Sequence, residues 1–281
     1  MSVINTNVKA LVAQNAATAN SRAMSKAMEQ LSTGKRINSA ADDAAGLAIS
    51  NKMTAQIRGL NQAVRNANDG IALLQTAEGS TQEVTNMLQR MRELAVQSAN
   101  DTNSSTDRSA LQNEVVALRT EINRIADNTE WNGQKLFTVA NSSAGGIGTA
   151  GLVKFQVGVD GTTNDVISVQ LDDIGALTGL STMTIGTLTG ATGALLTIDN
   201  AIAAIDDDRA RFGAAINQLT YATDNLANIS TNAQESRSRI LDTDYAQATT
   251  ELARTQIIQQ AATAMLAQAN QAPQTVLSLL R

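Results

Sequence analysis

The chain has 281 residues and a net charge of -5, with no Cys, no His, one Pro and six aromatic residues. Without thiols or imidazoles it can form no disulfide, no His-dependent Ser triad and no zinc site needing S or N ligands. The acidic balance and only six Lys argue against nucleic acid or a membrane as partner, while a composition rich in Ala, Leu and Ile suits long helices packed through small side chains better than a layered enzyme domain.

Residues 1–15 lack a charged stretch followed by an apolar one, and no run approaches the roughly 20 apolar residues of a membrane span. Residues 3–31 are weakly amphipathic. Ala10, Ala17, Met24, Met28 and Leu31 share a 3,4-spaced face with Val8, Leu11 and Val12 beside it. This seam is narrow, so such a helix is marginal alone in water. Gly34 marks its end. Ser39 and Asp42 are spaced as a capping box opening the next helix.

That second helix is seamed by Ile57, Leu60, Val64, Ala67, Ile71 and Leu74, then, after a phase slip, by Val84, Leu88, Met91 and Ala95. Gly59, Gly70 and Gly79 inside it each cost about 1 kcal/mol relative to Ala, which packing must offset. A polar stretch at 100–107 ends in a second capping-box pair, Ser104 and Asp107. The third helix follows, seamed by Leu111, Val115, Leu118, Ile122 and Ile125, and the short loop makes it an antiparallel neighbour of the second.

Asn132-Gly133 marks a tight turn, after which the chain becomes rich in Gly and Thr. Val153, Phe155, Val157 and Val159 alternate, as do Ile167, Val169 and Leu171, which predicts a hairpin across Asp160-Gly161. Further strand is expected near 183–188. From Ile198 to Ile240 a 4,3 spacing through Ile205, Phe212, Leu219 and Leu226 predicts one helix roughly 60 Å long, too long for a compact globule to cover. The last helix carries Ile258, Ala262, Met265, Ala269, Ala272, Val276 and Leu279 on one face, with uncharged Gln256, Gln259, Gln260, Gln268 and Gln271 opposite. Pro273 predicts a kink or local end.

Three motifs reduce to plain structural roles. Gly146, Gly148 and Gly151 match the dinucleotide pattern, but that pattern needs a strand before it and a helix after it. Here a Ser/Gly linker precedes and a strand follows, so a loop is expected and no cofactor. Asp206, Asp207 and Asp208 offer no cation loop and read as an acidic first turn. Asp42 and Asp43 read as caps.

Taken together, the predicted fold is mainly α: long antiparallel helices forming a coiled-coil rod, with a small β-hairpin region in the central insert. Residues 1–40 and 241–281 form paired terminal helices, 41–138 and 196–240 the helical core, and 139–195 a variable insert. The terminal seams at Leu11, Met24, Met28, Leu31, Ile258, Met265, Val276 and Leu279 cannot be covered by one subunit. They should fold when neighbours arrive, and a head-to-tail contact that does not close on itself gives a helical polymer.

The opening Met1-Ser-Val-Ile-Asn-Thr-Asn7, the run from Leu31 to Ser39 with Asp42-Asp43-Ala-Ala-Gly-Leu47, and the run from Leu88 to Asn100 resemble the bacterial flagellins. So do Ser238 to Tyr245, Leu266 to Gln274 and the closing Leu277-Ser-Leu-Leu-Arg281. The resemblance covers residues 1–137 and 198–281. It implies a homopolymeric extracellular filament used in motility, no enzyme, and export through the flagellar type III channel without a cleaved signal. It also implies an export chaperone at the C-terminal helix, and filament cap and hook-filament junction proteins as partners. The junction protein itself, with similar terminal helices, is the nearest alternative. The region from Leu88 to Asn100 resembles flagellins sensed by a vertebrate Toll-like receptor, which makes Arg90, Leu94 and Glu114 candidate receptor contacts.

Overall fold

The computed structural model describes residues 6–137, 146–149, 151–177 and 179–278, with the backbone alone at Ala176 and at 272–278. Five α-helices and two small antiparallel hairpins, with 3-10 turns at Thr163–Asp165 and Ile174–Ala176, are found among these residues: α1 Val8–Thr33, α2 Ala44–Ser98, α3 Ser105–Asn128, β1 Glu130–Trp131, β2 Gln134–Lys135, β3 Leu152–Gln156, β4 Val166–Gln170, α4 Leu188–Leu241 and α5 Tyr245–Ser278. They group into two compact units, one of Met1–Ile57 with Thr231–Arg281 and one of Arg58–Ser230. The divisions fall inside α2 and α4, and both hairpins belong to the second unit.

In the second unit a continuous core joins three helices to the hairpin. α2 contributes Leu74, Leu88 and Met91, α3 contributes Val115 and Ile122, and α4 contributes Ile198, Ile205, Phe212 and Leu219. The 4,3 spacing read from α4 is thus its buried stripe. The hairpin pairs Val153 with Val169 and Phe155 with Ile167, and all four of these side chains face the core. The Asn132-Gly133 turn has both residues at positive φ, 51° and 74°, which the right-handed twist of the β1–β2 hairpin favours.

Close approach explains two of the three α2 glycines singled out above: at Gly59 a Cβ would lie 2.5 Å from Val159 Cγ1. At Gly70 a Cβ would lie 2.8 Å from Phe155 Cδ1, so the missing side chain lets the hairpin ring rest on α2. At Gly79 nothing lies within 4 Å, and we find no packing that offsets its cost.

Several sequence expectations give way. The segment near 183–188 is not a strand. Its backbone bonds go to helix side chains: Ser98 Oγ donates to the Ile185 carbonyl at 2.5 Å, and the Ile185 amide donates to Gln112 Oε1 at 2.5 Å. α4 begins ten residues before Ile198, where Thr187 Oγ1 accepts from the Gly190 amide and caps the helix. The three consecutive aspartates therefore lie in mid-helix rather than in a first turn. Asp208 is buried and paired with Arg211, whose guanidinium also holds Asp172 at 2.6 Å. Burial pushes the Asp208 carboxyl up to about 6.

The Ser39/Asp42 pair closes a turn just before α2, with Ser39 N–H donating to Asp42 Oδ2 at 3.0 Å, and the capping position falls to Asp43, whose Oδ1 accepts from the Gly46 amide. A hydrogen bond from Lys26, then those from Ser39, hold Asp42 well below the usual carboxylate range. Ser104 and Asp107 do form a reciprocal capping box on α3. Gly146, Gly148 and Gly151 sit in a loop leading into β3, with Gly148 and Gly151 at positive φ and no helix following, as the loop reading requires. α4 contains a window of mean hydropathy 1.3, apolar enough to cross a membrane by length and composition, contrary to the expectation that none exists. This helix also supplies the core stripe described above.

Candidate functional site

The first unit is built on α1 and α5, the two helices whose seams looked too narrow to stand alone. α1 is capped at its start by Asn7, whose Oδ1 accepts from the Ala10 amide, and it ends at Gly34, with φ 69° and its amide bonded to the Gln30 carbonyl. The chain then runs beside the α4–α5 connection: the Arg36 amide donates to the Leu241 carbonyl at 2.7 Å and the Thr243 amide to the Gly34 carbonyl at 3.0 Å. This fixes α5 antiparallel to α1.

Polar groups as well as small apolar ones hold the pair. Asn20 Nδ2 donates to the Thr255 carbonyl at 2.7 Å and to Gln259 Oε1 at 3.2 Å. Asn7 Nδ2 donates to the Ala269 carbonyl at 2.7 Å. Among the described side chains of the two helices, the buried ones are Asn20, Ala27, Ala248 and Thr255. Such a seam removes little apolar surface, and each buried bond is worth about 1 kcal/mol net.

What the pair leaves uncovered is larger. Val8 and Val12 with Ala13 and Ala16 on α1 face Ile258, Ala261, Ala262 and Met265 on α5 across an open groove of about 710 Å³. Val12 is 61% and Met265 64% exposed. The groove carries one charged side chain, Lys9, and one amide, Gln268. It has the apolar lining and near absence of charge of the central part of a protein interface.

Of the residues singled out as seam, Met24 and Leu31 are half-buried, while Leu11, Met28, Ile258 and Met265 are exposed. The Val276 side chain and Leu279 lie outside the described residues. The face of α5 bearing Gln256, Gln260, Gln268 and Gln271 is exposed, whereas Gln259 is half-buried and turned to Asn20. Val8 and Val12 matter more than their place beside the seam suggested. Their 4-residue spacing, aligned with Ala16, was the signal.

A second surface lies in the other unit. Arg90 Nε donates to Glu114 Oε1 at 2.9 Å and Arg90 Nη1 to Glu93 Oε2 at 2.9 Å, an exposed ion-paired patch across α2 and α3. Leu94 is 1% exposed and belongs to the buried core, so in the lone chain it presents nothing at that surface.

Comparison with known proteins places this geometry. Residues 4–142 match the bacterial flagellin N-terminal helical region and residues 195–280 the bacterial flagellin C-terminal helical region. A flagellin of Halalkalibacterium halodurans is 48% identical over 282 residues, spanning 99% of this chain and 100% of that protein. Flagellin B of Vibrio cholerae is 36% identical over 380 aligned positions, spanning 99% of each chain. The crystal structure of Bacillus cereus flagellin superposes with a TM-score of 0.51 at 30% identity, covering 58% of this chain and 88% of that one. A putative flagellar hook-associated protein from Vibrio parahaemolyticus has a TM-score of 0.59, covering 72% of this chain and 100% of that one, but at 16% identity it speaks to fold alone. On a match that runs the whole length of the chain, this protein belongs to the bacterial flagellin family, the structural subunits of the extracellular flagellar filament.

Proposed function

We propose that a second copy of this chain covers the apolar groove of the α1/α5 pair, and that the filament grows through this contact. The observation that carries the reading is the open groove between Val8, Val12, Ile258 and Met265 on helices held together by little more than small residues and polar bonds. Burying a half-exposed Val or Ile is worth about 1 kcal/mol, so several such side chains together govern whether subunits associate. The role is structural, without catalysis.

The same exposed apolar residues need a cover before assembly. An export chaperone on α5 supplies it while the chain travels, without a cleaved signal, through the flagellar type III channel. The filament cap and hook-filament junction proteins then meet the terminal helices, and the exposed Gln256, Gln260 and Gln271 of α5 turn to the lumen. Val12→Glu tests the groove. This variant should keep the helix signal of the second unit yet give no sedimentable filament under salt conditions that polymerise the parent, and normal filaments would refute the reading.

The Arg90–Glu114 patch is the candidate contact for a vertebrate flagellin receptor, with Leu94 acting from below by holding α2 in place. Arg90→Ala at unchanged thermal stability should lower receptor signalling, and full signalling would remove the assignment.

A further inference from the structure

Of the eight methionines, Met91 and Met183 are buried in the second unit, and Met24, Met53 and Met87 are half-buried. Among the described residues only Met28 and Met265 are exposed, at 46% and 64%, one on each helix of the terminal pair, and Met265 lines the apolar groove. We infer that Met265, seconded by Met28, is an oxidation site that gates assembly: a two-electron oxygen donor of the peroxide class converts its thioether to a sulfoxide in the free chain, and the oxidised groove no longer accepts a second subunit.

The chemistry balances without any group on the protein. The sulfur lone pair takes one oxygen from hydrogen peroxide, the S–O bond forms as the O–O bond breaks, and water leaves; the thioether is oxidised by two electrons and the peroxide reduced by two. Access decides which methionine reacts, and the side chains in the core are shielded. The product is a polar, hydrogen-bond-accepting group in a groove whose lining offers Lys9 and Gln268 as its polar members. Closing a sister chain over the sulfoxide forfeits the apolar contact and takes a strong acceptor out of water. In the filament the same sulfur is covered, so the two forms of the protein differ in sensitivity. A sulfoxide reductase with a dithiol as reductant reverses the step.

The inference rests on the groove being the subunit contact, and one experiment separates the two. Purified full-length chain is treated with hydrogen peroxide as monomer and as filament, sulfoxide at each methionine is read by peptide mass spectrometry, and polymer is measured by sedimentation. Monomer should oxidise first at Met265 and Met28 and then assemble roughly tenfold less, filament should be protected at Met265, and reductase with dithiothreitol should restore assembly. The Met28→Leu/Met265→Leu variant should assemble equally well with and without peroxide. Oxidised parent that polymerises undiminished, or a double Leu variant that loses assembly equally, overturns the inference. If Val12→Glu blocks assembly while oxidation does not, the methionine gate falls and the groove stands; if Val12→Glu polymerises normally, both fall.

Discussion

Asn7 Nδ2 donates to the carbonyl of Ala269 at 2.7 Å, and that carbonyl is the one left without its helical partner because residue 273, four positions on, is proline. One side chain therefore does two things: its Oδ1 caps the start of α1 and its Nδ2 satisfies the gap in α5. Of the kink or local end expected at Pro273, the end is absent: the helix continues through it to Ser278. The first prediction follows from this coupling. Asn7→Ala should cost about 1 kcal/mol for the lost cap and speed hydrogen exchange near both 8–11 and 266–271. Pro273→Ala should reduce the penalty of Asn7→Ala, because the helix then bonds its own carbonyl. If the two changes simply add, the coupling is absent.

Glycines 70 and 79 lie in the same helix and should respond in opposite directions to alanine. At Gly79 the added methyl meets open space and gains about 1 kcal/mol of helix propensity. At Gly70 it meets the Phe155 ring, and overpacking costs about 1–3 kcal/mol, more than the propensity returns. Urea midpoints of the two variants should fall on opposite sides of the parent's, and a stabilising Gly70→Ala would mean that the hairpin does not rest there.

Asp208 sets a pH dependence opposite in sign to that of an ordinary paired carboxylate. Burial raises its folded-state value to about 6 from 3.8, so the native chain binds a proton that the unfolded chain does not between those limits. Its contribution to stability rises as pH falls through about 6, is complete below about 3.8, and is lost above 6. Asp42 works the other way, contributing above the unfolded value and losing its contribution as the medium turns more acid. Asp208→Asn keeps an acceptor for Arg211 without the charge. Subtracting its denaturation midpoints from the parent's across the interval from about pH 4 to about pH 7 should isolate the slope, with the parent relatively weaker at the alkaline end. A flat difference would show that Asp208 ionises as an ordinary carboxylate.

How far the sequence foretold this structure depended on the scale of the signal. Long-period patterns held: the stripe through Ile198, Ile205, Phe212 and Leu219, the Gly34 helix end, the Ser104 capping box and the Val153/Ile167 hairpin all rest on local rules. The start of α4 was hidden because Gly190 and Gly193 suggest loop, although Ala191, Ala194, Ile198, Ala201 and Ile205 already repeat at 3,4 spacing. Asp208 misled because Asp172, the second carboxylate on its Arg211 partner, comes from a distant segment that no local window contains. The strand expected near 183–188 failed for the same reason, since Ser98 and Gln112 take its backbone bonds from far along the chain. At the terminal helices the narrow seams were legible, but the groove was not, because it exists only once α1 and α5 are set antiparallel.

The chain contains no cysteine, so a single introduced thiol is a unique reporter. Val12→Cys, at a position 61% exposed in the groove wall, should react rapidly with a maleimide in the monomer and become strongly protected once the same sample is polymerised into filaments. Equal labelling rates in monomer and filament would contradict the claim that sister subunits cover the terminal pair.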